Sequence, residues 1–280
     1  MIVTGRTPPM DQYQNEISRA AELLKNTRNA VAFCGSGVSE ESGIATFRDP
    51  GGIWDRINPM EVGTPEGIIS VLTKNPGRIL PVFMDLLEVF EKADFNPGHR
   101  ALAEFEKMGI LKKIITQNID NLQQEAGSVA VIEVHGNMFR LACVSCGRKV
   151  VVDRKPFVAS LKSRMAAITA FTLPAVMELA PRCGSCGSLM RPDVVMFGEA
   201  VQELPHAFAA ARGCDMLLVL GTSGVVYPAA EIPFEAKKRF ADIIVINPNE
   251  NAFSDITDIY IPMKTGEALP AILNAMKKSM

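Results

Sequence analysis

An excess of charge of either sign is missing from this 280-residue chain, in which 29 Lys and Arg stand against 31 Asp and Glu for a net −2 at pH 7. No global field therefore pulls it toward nucleic acid or an anionic membrane, and any polyanion contact has to be local. Long apolar runs are missing too, none approaching the roughly 18 residues that span a bilayer. The opening MIVTGRTPPMDQYQ has no apolar core of the secretory kind, and Asp11 with few Arg argues against an organelle transit peptide. Internal repeats and low-complexity tracts are absent. Neither a membrane nor direct nucleic-acid binding is expected. Cysteine is sparse, with six residues at 34, 143, 146, 183, 186 and 214, and four of them form two CxxC pairs. That is the pattern of metal ligation in a reducing compartment, not of a disulfide framework, and it implies a cytoplasmic protein. Histidine is scarcer still, with three copies, and one of them, His135, stands eight positions ahead of the first CxxC pair.

What is present is 48% hydrophobic residues, enough to bury a sizeable core in one large domain or in a main domain with an insertion. NEISRAAELLKNTRNA carries Ile17, Ala20, Ala21 and Leu24 at helical spacing and leads into a first strand, AVAFCG. LKKIITQN, VAVIEVHG, DMLLVLGTS and ADIIVINPN are short, β-branched or Leu-rich, and each ends in small or polar residues. Buried parallel strands with functional carboxyl ends look like this. With helical stretches such as PGHRALAEFEKMG and PAAEIPFEAKKRF between them, the class is α/β with a doubly wound parallel sheet. Two regions break the alternation: about 50–98, a loop followed by helices, and about 138–197, which carries the cysteine pairs.

Cys143-x-x-Cys146 and Cys183-x-x-Cys186 each place two thiols on a tight knuckle, with Gly147, Gly184 and Gly187 expected to supply positive φ. Four soft thiolates in tetrahedral array suit one closed, structural Zn²⁺. Two independent redox pairs fit less well, because a redox CxxC opens a helix after a strand and needs no twin. A catalytic zinc needs an open position that four cysteines do not leave. His135 is thereby freed from the metal. Residues 147–182 separate the pairs by more than an ordinary ribbon spacing, and KPFVASLKSRMAAITAFTLPAVMELAP within them reads as a helical excursion beside the main domain.

FCGSGVSEESGIATFRD follows the first strand and opens with Gly35-x-Gly37, but Glu40 stands where a dinucleotide fingerprint needs its third glycine. Gly35 and Gly37 still allow close backbone approach to a pyrophosphate at a helix N-terminus; a plain tight turn is the bland alternative. Phe47, Arg48 and Asp49 add an aromatic, a cation and a carboxylate in a loop. Gln117, Asn118 and Asp120 in TQNID, Gly221, Thr222 and Ser223 in GTS, and NPNE at 247–250 end three further strands, the edge at which open α/β sheets bind ligands. His135 closes a strand in the same manner, and an imidazole there can act as a base near neutral pH. His99 and His206 read as residues that cap or line helices.

In combination these stretches resemble the sirtuin family of NAD-dependent protein lysine deacylases over nearly the whole chain. The matching segments are GSGVSEESGIATFRDPGGIWD, TQNIDNLQQEAG, EVHGNMFRLACVSC, PRCGSCGSLMRPDVVMFGE, GTSGVVYPAA and INPNE, in family order. The resemblance implies a Rossmann-like NAD-binding domain over 11–137 and 198–280, with a helical module at about 50–98, and a zinc-ribbon module over 138–197. It implies that Gly35, Ser36, Gly37, Ser39, Phe47 and Arg48 cradle NAD, that Gln117, Asn118 and Asp120 hold its ribose and nicotinamide end, and that Gly221, Thr222, Ser223, Asn247 and Glu250 line its phosphate and adenosine side. Val195, Phe197 and Gly198 opposite Gly224 and Val225 would sandwich the acyl-lysine peptide as an added strand, with little sequence selectivity. In the implied reaction the acyl oxygen attacks the nicotinamide ribose and expels nicotinamide. His135, aided by Asn118, then serves deprotonation of a ribose hydroxyl, and the products are lysine, nicotinamide and acyl-ADP-ribose.

The chain departs from the family at Ser36, commonly Ala, at Cys34, commonly Thr or Ser, at Gln123, commonly His, and at Gly224, commonly Leu. The last is expected to remove a wall from the peptide groove. Members that remove succinyl groups carry a Tyr-x-x-Arg pair whose counterparts here are Phe83 and Leu86. An apolar pair cannot neutralise a carboxylate, so acetyl or longer apolar acyl groups are expected over succinyl. Residues 168–176 are either a lid near the acyl group or plain packing on the helical module. A mono-ADP-ribosyltransferase and a non-catalytic NAD-sensing module are the competing readings, and His135 with Asn118 and Asp120 favours the deacylase.

Overall fold

Strand β1 (Ala30–Cys34) is buried along its whole length because it lies inside a six-stranded sheet of order β3-β2-β1-β7-β8-β9. It pairs with β2 (Leu111–Thr116) and β7 (Met216–Leu220), and the sheet is completed by β3 (Val131–Glu133), β8 (Asp242–Ile246) and β9 (Ile259–Ile261). Every pairing in this sheet is parallel. The computed structural model describes residues 10–45, 58–168 and 172–278.

Period-two alternation in β1 sends Ala30, Ala32 and Cys34 to one face and Val31 and Phe33 to the other. The first face is covered by helices Gln14–Asn26, Pro97–Lys107 and Thr265–Lys278 through residues such as Leu24, Leu102, Phe105 and Ile272. The second is covered by helices Leu204–Gly213 and Ile232–Lys237 through Ala207, Ala211, Ile232 and Ala236. Burial of each such Leu, Ile or Phe contributes about 1.5–3 kcal/mol, and the two layers leave one exit for polar chemistry, the carboxyl edge of the strands. The strand order reverses at β1 and β7, so that edge has a crevice between them.

A second sheet is antiparallel, β5-β4-β6, built from β4 (Gly136–Cys143), β5 (Lys149–Val151) and β6 (Met190–Val194). Between its cysteine pairs run helices Arg154–Ala166 and Leu173–Leu179, the expected excursion. The first docks on helix Pro76–Lys92, where Phe90 meets Phe139 edge-on at 5.4 Å beside Val158. Leu173 and Val176 of the second pack with Phe83, Leu72, Ile79 and Val82. Packing on the helical module thus accounts for the described part of 168–176. Gly147 and Gly187 have the positive φ expected of the knuckles, at 72° and 74°. Gly184 does not: it is not among the positive-φ residues, and nothing crowds the position a Cβ would take. Among the described residues no helix is long and apolar enough to cross a membrane.

Candidate functional site

The crevice is built by backbone before any side chain enters. Gly35 N donates to Leu220 O at 2.9 Å and Gly37 N to Gly221 O at 2.9 Å, so the turn after β1 lies against the turn after β7. A Cβ on Gly35 would sit 2.6 Å from Thr222 Cβ, and one on Gly37 would sit 2.9 Å from Gly221 Cα. Both glycines are required by this loop-on-loop contact alone. Ser36 and Gly37 are half-buried and lead into a single helical turn, Gly37–Glu40.

Polar side chains converge from the neighbouring strand end. Asn118 Nδ2 donates to Gly35 O at 3.0 Å and to Ser39 Oγ at 3.1 Å, while Gln117 Nε2 reaches Thr222 Oγ1 at 3.1 Å. Ser39 Oγ donates to Asp120 Oδ2 at 2.7 Å, and Leu122 N donates to Asp120 Oδ1 at 2.9 Å. Burial raises the Asp120 carboxyl above the usual range, and those two hydrogen bonds work against it. His99 lies beneath, with Nδ1 accepting from Asn96 N at 3.3 Å, so that the Nε2 proton faces Ser39 Oγ at a long 3.5 Å. Asn118 Oδ1 is buried and has no hydrogen-bond partner among the described residues. An orphaned amide oxygen beside two glycine-lined turns fits a hydroxyl-bearing ligand such as a dinucleotide.

His135 stands across from this cluster, between β3 and β4. Its Nδ1 lies 3.0 Å from Gln117 O; the ring therefore donates there from Nδ1 and leaves Nε2 as the basic nitrogen. Burial lowers its pKa below the ordinary 6.5, partly offset by that hydrogen bond. The backbone of His135 also holds the segment after β6, because Val195 N donates to His135 O at 3.0 Å. Phe197 N donates to Gly63 O at 2.7 Å, tying the same segment to the helical module. Phe197 and Val225 are exposed at 46% and 49%, and Gly198 turns with φ 89°.

Gly224 needs a different account from the expected one. Its φ is 74°, and a Cβ there would meet the Phe253 ring at 2.5 Å and Ala252 Cβ at 3.0 Å. The missing side chain would point into the core, so the glycine makes room for Phe253 and opens no groove wall. The remaining expected residues are placed as follows. Gly221, Thr222 and Asn247 are buried at their strand ends, whereas Ser223 and Glu250 are exposed. Phe47 and Arg48 lie outside the described residues.

The four cysteines cluster as a separate centre. The Sγ atoms of Cys143, Cys146, Cys183 and Cys186 all lie within 4.8 Å of one another, with Cys143–Cys186 at 3.5 Å and Cys146–Cys183 at 3.7 Å. Thiolates about 2.3 Å from a common tetrahedral Zn²⁺ are separated by such distances. The donor set fits one closed metal site, and His135 is not part of it.

Two contacts were not foreseen. Cys34 and Gln123, both departures from the family pattern, are partners: Gln123 Nε2 approaches Cys34 Sγ at 3.7 Å in a fully buried position. Burial, with Asp120 second, pushes the Cys34 thiol far up and keeps it protonated. A polar set around Glu133, Asn137 and Arg140 also flanks His135. The alternation Glu133, His135, Asn137 in EVHGN was the sequence signal for it.

Fold and site together define an open α/β sheet with a dinucleotide-type crevice, a strand-end histidine and a closed four-thiolate centre. A sequence model of the Sir2 family matches residues 35–228, and the chain belongs to that family. An NAD-dependent protein deacylase of Desulfosudis oleivorans is 55% identical over 264 residues, covering 94% of this chain and 97% of its own length. A solved Sir2 homologue in complex with NAD superposes with TM-score 0.76 at 35% identity, covering 93% of this chain and 94% of that one. A Sir2 protein bound to a myristoylated histone peptide gives 0.70 at 36%, covering 95% and 98%.

Proposed function

We propose that this chain is an NAD-dependent protein lysine deacylase that removes acetyl or longer apolar acyl groups and forms nicotinamide, acyl-ADP-ribose and free lysine. The observation that carries the reading is the His135 ring, held by Gln117 O through Nδ1 so that Nε2 is the nitrogen able to take a proton. NAD, when bound, supplies an electrophilic ribose carbon. Gly35, Ser36, Gly37 and Ser39, with Gly221, Thr222, Ser223, Asn247 and Glu250, would hold it along the carboxyl edge, and Phe47 and Arg48 belong to the same assignment. Asn118, Gln117 and Asp120 orient its ribose end, and the orphaned Asn118 Oδ1 is the acceptor such a ligand would satisfy.

His135 acts as the general base through Nε2. Val195, Phe197 and Gly198, with Gly224 and Val225, present backbone to an acyl-lysine peptide as an added strand; the hydrogen bond from Val195 N to His135 O registers that strand against the base. The Zn²⁺ site is structural, since four thiolates complete its shell. Division into 11–137 with 198–280 and an inserted 138–197, with a helical module at about 50–98, is part of this reading and is supported by the two separate sheets. A cytoplasmic location is supported by the free thiols.

Phe83 and Leu86 lie in apolar clusters, which favours apolar acyl groups. Mass spectrometry after incubation with NAD and acetyl-, myristoyl- and succinyl-lysine peptides tests the assignment, with His135→Ala as control. Deacylated peptide and matching acyl-ADP-ribose, lost in the variant, are expected. Intact peptides with ADP-ribose added to protein would replace the reading with a transferase, and succinyl turnover equal to acetyl turnover would remove the acyl preference.

A further inference from the structure

Between the six-stranded sheet and the cysteine-bearing sheet runs a line of buried and half-buried polar side chains that the proposed chemistry does not use. It starts at Arg154, whose side chain is 1% exposed although it is the first residue of helix Arg154–Ala166. A cation there is opposed by the helix dipole and by desolvation, so its partners determine its place. Nε and Nη2 of Arg154 donate to Glu125 at 2.8 and 2.6 Å. Asn121 Nδ2 reaches Glu125 Oε1 at 3.4 Å, and Asn121 Oδ1 accepts from Asn137 Nδ2 at 2.9 Å. The same Asn137 Nδ2 donates to Glu133 Oε1 at 2.5 Å, and Asn137 Oδ1 accepts from Phe139 N at 2.8 Å. Glu133 pairs with Arg140, which in turn holds Asp193 at 2.6 Å.

The line passes both halves of the site. Asn121 follows Asp120 and lies at φ 69°, a left-handed conformation that asparagine adopts more readily than other non-glycine residues. Glu133 and Asn137 bracket His135 two residues to either side. Asn137 is 4% exposed, and its one amide joins the two halves: one hydrogen goes to the Asp120–Asn121 turn and the other to the strand that delivers His135. Its carbonyl fixes the start of β4 through Phe139 N. No other described side chain hydrogen-bonds to both Asn121 and Glu133.

We propose that Asn137 is a positioning residue that keeps His135 in register with the Asp120 turn by donating simultaneously to Asn121 and Glu133. The role given to His135 rests on the deacylase reading; the position of the His135 ring does not. The test is therefore spectroscopic first. With three histidines in the chain, the His135 ring can be followed by proton–carbon correlation and titrated between about pH 5 and 8. Asn137→Asp is close to isosteric and sets a second carboxyl against Glu133, so that one shared proton at most replaces the two amide donors.

The variant is expected to shift the His135 resonances and move its titration midpoint, leaving exposed His206 unchanged. It should also lower kcat about tenfold or more while KM for peptide stays within about threefold, as misplacement of a catalytic group does. Overlay of His135 spectra and titration in wild type and Asn137→Asp would overturn the proposal. Should Asn137→Asp not fold, Asn137→Ala removes both links without adding charge, and the same His135 comparison decides. A wild-type protein that turns over no acyl peptide would defeat the deacylase reading and leave this comparison standing.

Discussion

His99 makes the molecule sensitive to acid in a calculable way. The ring is 0% exposed, and burial brings its pKa from the ordinary 6.5 down to about 4. The unfolded chain binds a proton more readily than the folded one between those values, so unfolding takes up a proton and stability falls as the pH is lowered. The contribution is fully present above pH 6.5, begins to be lost below it, and is gone below about 4. At about 1.4 kcal/mol for each pKa unit the whole gap is worth about 3 kcal/mol, of which about 1.4 is lost by pH 5.5 and about 2 by pH 5. His99→Gln keeps an acceptor for Asn96 N at the third helical position, where glutamine serves a capping box, and cannot titrate. Urea unfolding of both proteins at pH 7.5, 6.5, 5.5 and 5 should show the variant weaker at pH 7.5 by about 1–3 kcal/mol from lost packing. The two stabilities should then converge by about 2 kcal/mol at pH 5. Because other groups, the thiolates included, titrate in both proteins, the difference isolates His99. Parallel curves across the whole range would refute the reasoning and mean that the buried ring takes its proton without penalty.

Gly224→Leu, which restores the residue common in the family, should destabilise the fold by several kcal/mol, because it combines a positive φ with a clash against buried Phe253; equal urea midpoints for variant and wild type would contradict this. Chelation of the metal from Cys143, Cys146, Cys183 and Cys186 should lower the thermal midpoint and abolish turnover, with re-addition of Zn²⁺ restoring both; an apoprotein of unchanged activity would remove the structural role. The acid limb of kcat/KM, which reports the free enzyme's base, should fall below 6.5 because burial lowers the His135 pKa. An acid limb above 6.5 would assign the base elsewhere.

The parts of the architecture that announce themselves in sequence are those in which local pattern and tertiary role coincide. Ile17, Ala20, Ala21 and Leu24 face the sheet from helix Gln14–Asn26 because the helical period alone puts them on one side. Strands β1, β2, β7 and β8 are legible because each apolar run is buried on both faces and ends in small or polar residues. Strand β9, Ile259–Ile261, was not anticipated, since three residues ahead of Pro262 carry too little periodicity. Pairwise requirements are hidden for a different reason. Gly35 and Gly37 read as room for a pyrophosphate, yet Gly221 and Thr222, almost two hundred residues on, already demand them. Cys34 and Gln123 look like two unrelated departures until their 3.7 Å contact makes them one. Gly224 looks like a vacancy in a groove until Phe253 is seen filling the space. In each case the decisive partner is distant in sequence and absent from any local window.

The same distinction explains why a metal knuckle stands so close to His135 without touching it. Strand β4 begins at Gly136, immediately after His135, and ends at Cys143, a metal ligand. Its partner β6 begins at Met190, opposite Cys143, and ends at Val194, opposite Gly136, one residue before Val195 donates to His135 O. The two strands therefore form a ladder with the four-thiolate centre at one end and His135 with the segment after β6 at the other. Strand β6 covers that span in five residues while β4 takes up the excess in an irregularity between Asn137 and Leu141, so at about 3.4 Å per residue the ends are about 14 Å apart, too far for His135 to reach the metal's ligand shell. What the metal supplies is the fixed closure of the far end. The near end closes only because Gly136 has no Cβ, which would lie 1.9 Å from Asp193 O. A ladder pinned at both ends sets the register between His135 and the segment after β6, and Asn137, the second residue of β4, joins that register to the Asp120–Asn121 turn.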